Sequence, residues 1–345
     1  MKIAVIAAAS RTGEKGGAER FYEGLVKALN STGINTDIIS LVSDESSFDT
    51  IKETLLNFYD LNLSAYDGVI STKAPSYFVK HKNHVCYLVH TMRIFYDIFE
   101  KDFPYPTTEL LEQRKFITTL DTAVLSYPHV KKIYTIGTTV SNRLLQYNNI
   151  RSEVLYPALS YDSFKTGEYK NYLFMPGRLH RWKRDDLIIK AMKHVQRPIM
   201  LKIAGTGEDE ERLHEIANKD KRIEFLGRVS DEELTNLYAD TLGVPFVPLN
   251  EDYGYITLEA FKSKKPVITC ADSGEPTFFV KDNFNGFVCN PDPKEIAKKI
   301  EFLYDNRDKA KEMGEQGYHS IAHITWGNVA KILLDALGMK GINEL

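Results

Sequence analysis

Apolar and polar positions along this chain switch repeatedly between two periods. Short β-rich runs at Ile3–Ala7, Asp67–Ser71, Val85–Val89 and Lys132–Ile136 alternate with helical patterns such as Ala18–Leu29 and Ser141–Tyr147. Strands separated by helices make parallel βαβ units, so the pattern predicts a doubly wound α/β domain. The alternation restarts after residue 165, with strands expected at Tyr172–Met175, Met200–Ala204, Ile223–Leu226, Val244–Phe246 and Pro266–Thr269. Helices are expected between them at Asp186–Lys193, Glu208–Asn218, Asp231–Ala239, Thr257–Lys262 and Lys294–Asn306. The segment Tyr156–Glu168, with a proline and several turn formers, predicts the linker between two domains. An amphipathic helix over Trp326–Leu337 follows a second domain that is already complete. The expected organisation is one domain over 1–157, a second over 158–320, and a C-terminal helical segment over 321–345 packing back toward the first. Two such sheets facing one another would leave a cleft at the C-terminal ends of their strands, where ligands bind in folds of this type.

Composition supports two domains and narrows the partners. A chain of 345 residues exceeds the usual size of one core, and 43% hydrophobic residues supply enough material for two. The formal net charge of -3 excludes a global attraction to nucleic acid, so an anionic ligand must be recognised by local basic clusters. Cys86, Cys270 and Cys289 are odd in number and lack metal-ligand spacing. They predict neither a disulfide framework nor a metal site, and point to a reducing cytoplasm. The apolar N-terminus is short and reads as a buried strand rather than a signal peptide. No stretch approaches a membrane span.

Four loops that follow predicted strands, or lead into helices, carry the candidate chemistry. Arg11–Glu19 holds Gly16 and Gly17 where the first helix begins. Its glycines allow close approach of an anion to free helix amides, or simply turn the chain. Pro176–Arg184 gathers Arg178, Arg181, Lys183 and Arg184 at the start of another helix. A guanidinium fork and a point-charge ammonium there suit a diphosphate, while a solvated basic turn is the bland alternative. Ala204-Gly-Thr-Gly-Glu208 lacks the third glycine and downstream acid of a nicotinamide site and reads as a tight turn. Glu251–Phe261 places Glu251 in a loop and Glu259 just inside a helix, with the amides of Asp252 to Thr257 near the helix start. One carboxylate can accept from sugar hydroxyls and the other can meet a vicinal diol; Glu259 could equally complement the helix dipole.

The combination of Gly177-Arg-Leu-(x)3-Lys183, Glu251-(x)7-Glu259 and Gly16-Gly-Ala-Glu19 resembles the family-4 (group 1) retaining glycosyltransferases. Phe225-Leu-Gly-Arg-Val229, Lys265-Pro-Val-Ile268 and Asn285-Gly-Phe-Val288 extend the resemblance over most of the chain. It implies the GT-B fold, two facing Rossmann-like domains with an interdomain cleft. It also implies roles. Arg178 and Lys183 would hold the donor diphosphate, and Glu259 the ribose. Glu251, with the backbone at Asp252, Tyr253, Gly254, Tyr255, Ile256 and Thr257, would hold the transferred sugar. Gly16 and Gly17 would lie over the phosphates, Arg228 and Val229 would flank the base, and His90 would stand near the donor sugar. Without the resemblance, His90 reads more simply as a structural hydrogen bonder. His81 and His84 are expected on a surface loop, with no third metal ligand.

Two departures from the family pattern stand out. Arg184 occupies a position where the family often has glycine, and the loop Asp272-Ser-Gly-Glu-Pro276 replaces a glycine pair followed by glutamate. No role is assigned to Glu275.

The implied reaction is retaining transfer of a hexose from a UDP- or GDP-sugar to a glycan, lipid-linked or small-molecule acceptor, without metal or other cofactor. Such a hexosyltransferase would serve cell-envelope polysaccharide synthesis in the cytoplasm, at the inner face of the membrane if it touches lipid. The alternatives are a noncatalytic nucleotide-sugar-binding subunit and a GT-B sugar-nucleotide epimerase or hydrolase. The aromatic stretch Met92–Tyr105 is read as an amphipathic helix on the core, with a lid for the acceptor as the competing reading.

Overall fold

A computed structural model describes residues 1–10, 17–161 and 163–340. The chain divides into two compact units: residues 1–160 together with 324–345, and residues 161–323. The division falls a few residues beyond the 157/158 and 320/321 boundaries read from sequence.

The first unit is built on six parallel strands: β1 (Lys2–Ser10), β2 (Asn35–Ser43), β3 (Gly68–Ser71), β4 (His84–Leu88), β5 (Lys132–Thr135) and β6 (Glu153–Val154). Their order is β2-β1-β3-β4-β5-β6, so the direction of winding reverses between β1 and β3. Every residue of β3 and β4 is buried, as expected for parallel strands covered on both faces. The last helix, Trp326–Ala336, packs on the first, Gly17–Ser31. The contact depends on Gly24, whose missing Cβ would lie 2.4 Å from the Trp326 ring. The Trp326 indole donates to the Leu159 carbonyl at 3.0 Å, tying this helix to the end of the unit's main segment.

The second unit holds β7 (Tyr172–Pro176), β8 (Met200–Ala204), β9 (Ile223–Gly227), β10 (Val244–Pro245), β11 (Val267–Cys270) and β12 (Gly286–Cys289). They form two parallel three-stranded groups, β7-β8-β9 and β10-β11-β12. A parallel bridge between Leu173 and Gly243, with Phe174 N–H donating to Gly243 O at 3.2 Å, joins them through β7 and β10. The resulting order β9-β8-β7-β10-β11-β12 is that of a Rossmann sheet, with its switch point between β7 and β10. Leu173, Leu201, Ile203, Ile268 and Phe287 form the sheet's share of one core, covered by Ile188, Leu213, Ile300 and Leu303 from the helices.

Several sequence expectations are corrected here. The stretch Met92–Tyr105 is not one helix. A 3-10 turn at Arg93–Phe95 and a short helix at Phe99–Asp102 bury Phe95, Tyr96 and Phe99. His84 is not on a surface loop: it lies in β4, fully buried, with Nε2 2.7 Å from Ser71 Oγ. Burial lowers its pKa to about 4, which keeps the ring neutral. All three cysteines are free and buried, and burial raises their thiols to about 11 or 12.

Candidate functional site

The switch point of the second unit places the loops after β7 and β10 side by side, because those strands are neighbours. Both loops carry residues singled out from sequence. Trp182 O accepts from Leu249 N at 2.8 Å, so the two loops are bonded through their backbones. Lys183 Nζ donates to Glu251 Oε2 at 2.6 Å. The basic turn and the acidic turn therefore converge on one place, each side chain about a quarter exposed.

Each loop is shaped by a local requirement. Gly177 has φ +146, and Gly205, at the end of β8, has φ +132. A Cβ on Gly205 would lie 1.8 Å from Gly177 O, and one on Gly207 would lie 2.0 Å from Leu179 O. The glycines read as a plain tight turn are thus what lets the loops after β7 and β8 touch. Beyond β10, Gly254 takes φ +81 and starts the helix Tyr255–Lys262 without a side-chain cap. The first amides of that helix, at Tyr255 and Ile256, have no intrahelical acceptor and lie at the positive end of its dipole. The loop after β11 runs beside Glu251: Glu251 N donates to Ser273 O at 2.8 Å, and Glu275 N donates to Glu251 O at 2.9 Å.

The other predicted residues are dispersed around this point. Arg178 is exposed and lies 3.3 Å from Glu208, a carboxylate that also stands 3.1 Å from His180 Nε2. Glu208 carries no signal in the sequence, because it ends a loop whose glycines read as a tight turn. Glu259 is 5% exposed, and its Oε2 accepts from the buried Tyr238 hydroxyl at 2.6 Å. Nothing in its helix distinguishes Tyr238 from a core aromatic. Tyr253 and Thr257 are buried, Asp252, Tyr255 and Ile256 half-buried. Arg228 is exposed and Val229 half-buried, beyond β9. His90 belongs to the first unit, past the end of β4, where its Nδ1 lies 2.9 Å from Thr91 O. Gly17 opens the first helix and is exposed, while Gly16 lies outside the described residues. Among the described residues, no group of three His, Cys, Asp or Glu side chains could hold a metal ion.

Not every basic side chain of the turn faces the same way. Arg184 spends its guanidinium on protein acceptors: Nε on Val247 O at 2.8 Å, one terminal nitrogen on Pro248 O at 2.9 Å, and both terminal nitrogens on Asp272 at 2.6 and 2.7 Å. The cluster read from sequence as four candidate phosphate ligands therefore holds at least one that is committed elsewhere.

Known proteins share features with this chain, most of all in its second unit. The family described as glycosyl transferases group 1 matches residues 162–320, which is nearly the whole second unit. The second unit is similar to the group 1 glycosyltransferases. An uncharacterized glycosyltransferase of Methanocaldococcus jannaschii is 26% identical over 183 residues, 52% of the present chain and 49% of the relative. Human alpha-1,3/1,6-mannosyltransferase ALG2 is 26% identical over 205 residues, 49% of this chain and 48% of that protein. The chain thus spans about half the length of the curated relatives it matches. Among solved structures, sucrose-phosphate synthase from Thermosynechococcus elongatus superposes with a TM-score of 0.77 at 15% identity, over 97% of both chains. Anabaena HepE in complex with UDP-glucose gives 0.73 at 14% identity, over 98% of this chain and 99% of that one. At such identities the likeness speaks for the fold, which is that of the two-domain GT-B glycosyltransferases.

Proposed function

We propose that the chain is a retaining hexosyltransferase using a nucleoside-diphosphate sugar as donor. One observation carries the reading: the 2.6 Å meeting of Lys183 with Glu251 at the switch point of a unit similar to the group 1 glycosyltransferases. A diphosphate there would be held by Lys183, by Arg178 and by the uncapped start of the helix Tyr255–Lys262. Glu251, displaced from the lysine, would then accept from hydroxyls of the transferred sugar, and Glu259 from the ribose. Likeness of fold to a protein solved with UDP and with UDP-glucose supports a sugar nucleotide as the ligand. The roles of His90, Gly16, Gly17, Arg228 and Val229 rest on the family resemblance alone.

In this mechanism the bond between the anomeric carbon and the diphosphate breaks as an acceptor hydroxyl approaches from the same face. The departing phosphate oxygen takes the acceptor's proton. The protein's contribution is orientation and stabilisation of the negative charge that develops on the leaving group, tasks for positive side chains and helix amides. No metal is required by this scheme.

The acceptor is a glycan, a lipid-linked sugar or a small molecule; exposed Ile94, Tyr105, Leu111 and Phe116 of the first unit put a lipid-linked one among those to test. Among the described residues no helix is long and apolar enough to cross a membrane. The test is a thermal-shift series with UDP- and GDP-sugars, followed by transfer to acceptors with and without a lipid tail and NMR assignment of the product's anomeric configuration. A stabilising donor and a product that keeps the donor's configuration support the proposal. A product of inverted configuration, or no nucleotide that raises the melting temperature, overturns it.

A further inference from the structure

The two departures from the family pattern, Arg184 and the loop Asp272–Pro276, are bonded to each other through Arg184 and Asp272, 88 residues apart. Arg184 has φ 55 and ψ 36, the left-handed region. A glycine would take that conformation freely, whereas a side chain costs roughly 1–2 kcal/mol. The cost is met by contacts no glycine could make. Four hydrogen bonds run from one guanidinium to three partners: Val247 and Pro248 after β10, and Asp272 after β11. The Asp272 backbone also accepts from Asn250 N at 2.9 Å, directly before Glu251. Arg184 itself follows Lys183. One side chain thus fastens the loop bearing the lysine to both loops that hold the glutamate.

We infer that Arg184 is a positioning residue: with Asp272 it clamps the loops after β7, β10 and β11 and thereby sets the geometry in which Lys183 meets Glu251. It is not a phosphate ligand, because four of its five N–H groups are already spent on protein. The effect on turnover rests on the glycosyltransferase reading; the clamp itself does not.

The test uses the full chain with Arg184→Gly, Arg184→Lys and Asp272→Asn. Arg184→Gly is backbone-compatible, so the variant isolates the loss of the guanidinium from any strain. The chain has two tryptophans, Trp182 inside the clamped turn and Trp326 in the first unit, so 5-fluorotryptophan labelling gives one reporter and one internal reference. In the ligand-free protein, all three variants are expected to shift the Trp182 fluorine resonance and leave that of Trp326 in place. With the donor found by thermal shift, kcat should fall on the order of 10- to 100-fold, as for a small misplacement of catalytic groups. The donor KM should change by less than about threefold, because the binding groups themselves remain. Lysine should not rescue, since a point charge cannot serve a carboxylate and two carbonyls at once. An unmoved Trp182 resonance in Arg184→Gly and Asp272→Asn overturns the inference, and so does full turnover in Arg184→Gly or Arg184→Lys. If the unmutated chain transfers from no donor, the glycosyltransferase reading falls while the fluorine spectra still decide the clamp.

Discussion

Lys183 and Glu251 form an ion pair of 2.6 Å across two loops separated by 68 residues. The pair neutralises in advance the positive charge that a donor diphosphate would use. On the proposed function, donor binding would draw the lysine away from the glutamate, and part of the binding energy would be consumed in doing so.

That competition makes Glu251→Gln informative. Removing the carboxylate frees Lys183, so UDP or GDP should bind several-fold tighter by calorimetry while transfer slows through loss of a contact to the sugar. Lys183→Ala should do the opposite, with diphosphate binding weakened and transfer reduced by about 100-fold or more. Weaker nucleotide binding in Glu251→Gln would show that the pair does not compete with the ligand.

Much of the second unit is legible in the sequence because its strands are short apolar runs, with β7 and β11 buried on both faces. β7, β8, β9 and β11 lie within a residue or two of their expected positions. β2 escaped notice because it is an edge strand with Asn35, Asp37 and Ser40 among its apolar residues and only Thr36 fully buried. β12 shows in the sequence only as the motif Asn285-Gly-Phe-Val288. The helices Phe48–Tyr59, Thr108–Leu125 and Arg307–Ser320 were not foreseen. In Thr108–Leu125 the reason is plain: Asp121 is buried while Leu111 and Phe116 are exposed, which blurs the apolar stripe. At the site, the residue types were legible and their partners were not. Tyr238 beside Glu259, Glu208 beside Arg178 and Asp272 beside Arg184 are all pairings over 20 or more residues, and periodicity carries no information at that range.

Tyr238→Phe tests the setting of Glu259. The hydroxyl is the buried donor to a buried carboxylate, so its loss should cost about 2 kcal/mol in denaturant unfolding. If Glu259 holds the ribose, UDP and GDP should lose affinity by the same factor, because the ribose is common to both. Losses that differ between the two bases would argue against that role.

Gly274→Ala tests the support beneath Glu251. Gly274 has φ +76, and an added Cβ would lie 2.5 Å from Glu251 O and 2.6 Å from Glu251 N. Both are backbone atoms that cannot swing aside, so the loop must shift and take Glu251 with it. Turnover should fall by about 10-fold or more. Gly338→Ala is the control: its φ is +68 and nothing lies within 4 Å, so it should cost only backbone strain of about 1 kcal/mol and leave kcat unaltered.

Asp185 offers a prediction in pH. It opens the helix that follows Lys183 and Arg184, and it is only 9% exposed. Burial raises its carboxyl from 3.8 to about 7, opposed by Lys183 and Arg212 and reinforced by Asp186 and Asp209. A folded-state value above the unfolded one means that the folded chain retains a proton the unfolded chain releases. Between about pH 4 and pH 7 unfolding therefore expels a proton, and stability falls as the pH rises through that window. Above about pH 7 the folded protein carries a buried carboxylate and the full penalty is present. Asp185→Asn removes the titration and the penalty together. The variant should match the parent near pH 4 and exceed its stability by on the order of 1–3 kcal/mol near pH 8, measured by urea unfolding. A constant difference across that range would mean that Asp185 is ionised throughout, and that Lys183 and Arg212 outweigh its burial.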